Sequence, residues 1–111
     1  MKQYTNSEQT AKLIELGFEE PRYYSADKYT IIHTGFDIIN YSIGELIEML
    51  QKRVYQIEDS GIPCDLNIHY DGGTWLIVFI SERDGRFKTE MFELIDALYL
   101  MLVKLKEEGV I

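Results

Sequence analysis

The sequence predicts an α+β domain: a mostly antiparallel sheet of about four or five strands in two hairpins with three helices, in the order α-ββ-α-ββ(β)-α. Three observations carry this expectation. Apolar residues recur at three- and four-residue spacing in three separated segments, while the stretches between them alternate with period two or are rich in tyrosine, isoleucine and threonine. Asp-Gly and Gly-Gly steps fall between extended stretches, which marks antiparallel hairpins. Segregated hairpins and helices suit helices laid on one face of a sheet. A length of 111 residues fits one domain, residues 1–111.

The first helix opens at Thr5-Asn6-Ser7-Glu8. Thr5 with Glu8 and Asn6 with Gln9 fit a capping box equally well, so the start is defined to within a residue. Ala11, Leu13, Ile14 and Leu16 form a short apolar side, and Gly17 ends it with Phe18 placed to contact Leu13. Arg22–Ser25 and Lys28–Thr34 read as a first hairpin turning at Ala26-Asp27. Phe36–Asn40 is a short strand or an inward-packing loop.

Ser42-Ile43-Gly44-Glu45 is a capping box, flanked by Tyr41 and Leu46 as a hydrophobic staple. Ile43, Leu46, Ile47, Leu50, Val54 and Ile57 then make one stripe of an amphipathic helix that ends at Ser60-Gly61-Ile62-Pro63. Leu66, Ile68 and Tyr70 alternate with Asn67, His69 and Asp71, a half-buried strand. Either Asp71-Gly72 or Gly72-Gly73 supplies the positive backbone angles of a two-residue turn. Both registers set Leu66, Ile68 and Tyr70 on the face of Trp75, Ile77 and Phe79. Trp75–Ile80 is apolar on both faces, the mark of a central strand, and Asp84-Gly85 feeds a short edge strand through Phe87.

Thr89-Glu90 is the expected start of the last helix. Met91, Leu94, Ile95, Leu98, Leu102 and Leu105 form its inner stripe, and Phe92, Tyr99, Leu100, Met101 and Val103 add apolar groups beyond it. A helix apolar over so much of its circumference is buried on more than one side. Its second side is either core or a docking face for another protein or another copy, with Phe92, Tyr99 and Met101 as candidate interaction residues.

Composition narrows the function classes. A net charge of -8 and basic residues scattered without a dense run disfavour direct nucleic-acid binding. The longest apolar run, Ala97–Val103, falls far short of the ~20 residues needed to span a bilayer. Cys64 is the only cysteine, so no intrachain disulfide forms, and the expected compartment is a reduced cytoplasm. Asp65 beside it opposes the thiolate that a nucleophile requires.

Two further patterns raise chemical possibilities. His69 and Asp71 lie on one strand face, an arrangement open to acid-base work, and His33 joins them if its strand is a neighbour. The competing reading is a polar strand face ending in a turn, where aspartate accepts local hydrogen bonds. Two imidazoles without a cysteine or HxxxH spacing do not define a metal site, and no GxxxxGKS/T or GxGxxG phosphate loop occurs, so no catalytic, metal or cofactor-binding residue is expected. Glu45, Glu48, Glu58, Asp59, Glu90, Glu93 and Asp96 form an acidic set open to reading as a mimic of nucleic-acid phosphates or as solvated helix faces.

Glu8–Phe18, Tyr41–Leu50 and Glu93–Tyr99 through Leu105–Gly109 together resemble small proteins of phages and mobile elements of gut bacteria, a family of uncharacterised function. The shared features are helix caps and apolar stripes, and the resemblance implies an accessory role on a mobile element. The function expected from the sequence is a non-enzymatic protein-protein interaction module, binding a protein partner or itself. An acidic DNA-mimicking inhibitor and a small-molecule enzyme using His69 and Asp71 are the alternatives.

Overall fold

The computed structural model describes residues 1–21 and 40–111. The expected hairpin at Arg22–Thr34, the segment from Phe36 and His33 lie outside the described residues. Within them the order is α1 (Ser7–Glu15), α2 (Ile43–Asp59), β1 (Cys64–Asp71), β2 (Thr74–Ser81), β3 (Gly85–Met91) and α3 (Leu94–Glu107). The strands form a three-stranded antiparallel sheet in sequence order. The domain is α+β, with the helices on one sheet face.

Hydrogen bonding fixes the start of α1. Asn6 caps α1: Gln9 N donates to Asn6 Oδ1 at 2.8 Å, and Asn6 N donates to Gln9 Oε1 at 3.0 Å. Thr5 is committed elsewhere. It is buried, its hydroxyl lies 2.7 Å from that of Thr10, and it accepts Tyr41 N at 3.0 Å. Ser42 and Glu45 cap α2 reciprocally, and the staple residues Tyr41 and Leu46 are both buried.

The β1–β2 turn is Gly72-Gly73, with φ of 61° and 94°. Asp71 pairs with Thr74, and the register sets Leu66 against Phe79, Ile68 against Ile77 and Tyr70 against Trp75. Ser81 pairs with Gly85 around the second turn, where Asp84 accepts a hydrogen bond from Ser81 Oγ at 3.1 Å.

The last strand and helix depart from the sequence reading. β3 continues past Phe87 to Met91, and α3 begins at Leu94 rather than at Thr89. Phe87, Thr89 and Met91 have period two and pair with Phe79, Ile77 and Trp75. This ladder with β2 outweighs the weak helix-start signal of Thr89-Glu90. Thr89 instead donates its hydroxyl to the Ala97 carbonyl at 2.9 Å, tying β3 to the helix.

α3 is the centre of the fold. Leu94, Ile95, Ala97, Leu98, Met101, Leu102 and Leu105 are all buried, because the helix contacts the sheet as well as α1 and α2. The inner sheet face completes this core with Ile77 and Phe79, and Leu66, Ile68, Trp75 and Phe87 pack against it. The N-terminal segment straps the helices together. Ile43 N donates to the Gln3 carbonyl at 3.2 Å, Lys2 N to Glu93 Oε2 at 2.9 Å, and Lys2 Nζ to Asp96 Oδ1 at 3.0 Å. No helix among the described residues is long and apolar enough to cross a membrane.

Candidate interaction site

Strands β1 and β2 outrun the helix that covers them. On the inner face, the row nearest the β1–β2 turn is Tyr70, Trp75 and Met91. The two rows behind it, Ile68-Ile77-Thr89 and Leu66-Phe79-Phe87, lie under the helices, and their central residues Ile77 and Phe79 are fully buried. In the terminal row, Tyr70 is 60% exposed, Met91 36%, and Trp75 is half-buried. The Tyr70 and Trp75 ring centroids stand 5.2 Å apart at an interplanar angle of 59°, a tilted aromatic pair. Phe92 follows Met91 at the strand–helix junction and is 81% exposed, more than any other large hydrophobic among the described residues.

Tyr70, Trp75 and Met91 thus share one inner-face row at the end of the sheet, and Phe92 follows Met91 in the chain just beyond β3. Acidic residues border these four in sequence: Asp71 follows Tyr70, Glu90 precedes Met91, and Glu93 follows Phe92. Large amphipathic rings with few rotatable bonds are the residue types that carry binding energy at protein interfaces.

The three residues singled out from the sequence do not come together. Phe92 is at the surface. Tyr99 is half-buried on α3, its phenol raised above the usual range by burial, then by Glu107 and Glu8. Met101 is fully buried in the core, where it serves the fold and has no surface to offer. The second apolar side of α3 is therefore divided: Met101 is core, Tyr99 and Val103 are half-buried against it, and Leu100 is 37% exposed. Tyr70 and Trp75 were legible as inner-face residues, but their exposure follows from where α3 starts relative to the strand ends, and no local pattern encodes that.

His69 and Asp71 are exposed on the outer face of β1, opposite Leu76 and Thr74. Among the described residues, no group of three or more His, Cys, Asp or Glu side chains is placed to hold a metal ion. Cys64 is half-buried, and burial, then Glu58 and Asp65, push its thiol upward, which keeps it protonated near neutrality.

The acidic set is divided among several tasks. Glu45 is buried as a capping residue, Glu93 accepts Lys2 N, and Asp96 accepts both Lys2 Nζ and Gln9 Nε2. A cleft of about 330 Å³ between the end of α1 and α2 is lined by Phe18, Tyr41 and Met49 together with glutamates and the cations Lys52 and Arg53. Lys52 pairs with Glu19 there at 2.7 Å, and Tyr41 donates its hydroxyl to the Glu19 carbonyl. Burial, then Glu45, Glu20 and Glu19, push the Tyr41 phenol up to about 12.

Comparison with protein-family models, with curated proteins and with solved structures finds no match for the chain.

Proposed function

We propose that this chain is a non-catalytic protein-interaction module that engages a partner through the Tyr70–Trp75–Met91–Phe92 cluster. The observation that carries this reading is Phe92: a phenylalanine 81% exposed beside a sheet end that already presents Tyr70, Trp75 and Met91. Leaving such a group in water forgoes on the order of 2 kcal/mol of burial that a partner restores. The exposed Asp71 and Glu90 beside the cluster suit a partner that brings an apolar side chain flanked by lysine or arginine. They oppose a second copy docking here, since it would set the same acids against each other. An accessory role on a mobile element, in a reduced cytoplasm, accords with the resemblance of the helices and with a single thiol.

The mimicry reading is weakened because Glu45, Glu93 and Asp96 are committed within the fold. The enzyme reading rests on His69 and Asp71 alone.

The test is capture with wild-type chain and with Phe92→Ser, followed by reconstitution with the purified partner. Trp75 is the only tryptophan and sits in the cluster, so its emission reports docking directly. A partner lost on Phe92→Ser and shifting Trp75 emission to the blue supports the proposal. A partner bound equally by both forms, with Trp75 emission unchanged, refutes it.

A further inference from the structure

The outer sheet face, opposite the helices, carries a second apolar surface with a distinct charge arrangement. Leu76, Val78 and Ile80 run down β2 on this side. None of them belongs to the core cluster; Leu76 is half-buried, Val78 is 6% exposed between flanking residues that are themselves exposed, and Ile80 is 41% exposed. Strands β1 and β3 flank the stripe with polar groups in three rows: Asp65-Ile80-Arg86, Asn67-Val78-Lys88 and His69-Leu76-Glu90. Ion pairs among the described residues join Lys2 to Asp96, Lys52 to Glu19 and Arg83 to Asp84, so Arg86, Lys88 and Glu90 enter none of them. Within one copy, β1 and β3 are two strand spacings apart, ~9.6 Å, with a β2 side chain between them.

We propose that this face is an isologous dimer interface in which a second copy packs its outer sheet face on the first, about a twofold axis parallel to β2. That operation carries β1 of one copy over β3 of the other while keeping the rows in order. Asp65 then meets the other copy's Arg86, Asn67 meets Lys88 and His69 meets Glu90, each twice, around a centre where the two aliphatic stripes interdigitate. A twofold running across the strands would instead set Lys88 against Lys88, so the charge pattern selects the first axis. Face-to-face sheets pack ~10 Å apart with strands within about 30° of each other, which long side chains such as arginine accommodate.

Three strands of this length offer a footprint of roughly 14 by 24 Å, and a rough surface of that size buries on the order of 1,000 Å² in total. That is the lower end of specific interfaces, so the dimer is weak and concentration-dependent. The proposal rests on the outer face and not on Tyr70, Trp75 and Met91, which lie on the helix side at the sheet end.

Sedimentation of the full chain tests it. The mean mass is expected to rise from 13.0 kDa toward twice that value as concentration increases from about 10 μM to about 1 mM. Arg86→Asp or Asp65→Arg alone is expected to weaken association about tenfold or more, and the two together to restore it to within about threefold. Ile80→Asp abolishes it, with circular dichroism confirming the fold of each variant. A folded wild-type chain that stays monomeric at the top concentration overturns the proposal. So does a double variant as weak as either single one. Association that survives Ile80→Asp but is lost on Phe92→Ser also overturns it, because the contact is then the aromatic cluster.

Discussion

Phe92 and Met101 lie nine positions apart and are both large and apolar, yet truncating them should have opposite consequences. Met101 is 0% exposed and packed in the centre of α3, whereas Phe92 is 81% exposed. Met101→Ala removes three heavy-atom groups, roughly 2.4 kcal/mol at ~0.8 kcal/mol each. The residual cavity raises the loss to about 3–4 kcal/mol. Phe92→Ala withdraws only the covered fifth of a ring that exposes ~200 Å² when free, so about 40 Å² and no more than ~1 kcal/mol are at stake. Urea unfolding followed by circular dichroism measures both, with unchanged m-values as the check on two-state behaviour. The refuting result is a Phe92→Ala loss equal to or greater than that of Met101→Ala, which would mean that Phe92 is covered in the folded chain.

Three other outcomes follow from the geometry. At the β1–β2 turn, Gly72 has φ 61° and Gly73 φ 94°, so Gly72→Asn should be near neutral while Gly73→Val costs about 1–2 kcal/mol in chemical denaturation. Ser42→Ala removes the acceptor of Glu45 N at 3.1 Å and should lower stability by ~1 kcal/mol, read from the urea midpoint. Tyr41 has a folded-state pKa pushed from 10.0 up to about 12. The unfolded phenol therefore ionises first, and the associated stability, complete below pH 10, is lost as pH rises from 10 toward 12. Thermal melts across that window should fall more steeply for wild type than for Tyr41→Phe, and equal slopes would show that Tyr41 is not responsible.

Much of the architecture was legible because it rests on local rules. The alternation of Leu66, Ile68 and Tyr70 assigned the buried face of β1, because a one-residue slip would exchange its faces whereas the two candidate turn registers both keep them. The Ser42–Glu45 box placed the start of α2 for the same reason: both partners lie within one turn. The start of α1 was ambiguous because Thr5 and Asn6 are locally equivalent. A long-range demand decided it, since the Thr5 hydroxyl serves Thr10 and Tyr41 N. Thr89-Glu90 misled for a related reason, since the cross-strand partner Ile77 lies twelve positions earlier. At the site, Phe92 was identifiable as an apolar residue outside the inner stripe of α3. Met101 was not separable from it by pattern, because α3 is enclosed by the sheet and two helices and so buries residues from both of its stripes. The exposed row of Tyr70, Trp75 and Met91 depends on relative element lengths in three dimensions.

The N-terminal strap bears on the order in which the molecule is completed. Lys2 reaches its partners Glu93 and Asp96 across 91 and 94 positions of sequence. During synthesis Lys2 can be fastened only after the start of α3 has left the ribosome, and contacts this distant slow folding. Until α3 emerges, the oily underside of β2 has nothing to rest on, so the growing chain passes through an unshielded interval that a chaperone is suited to cover.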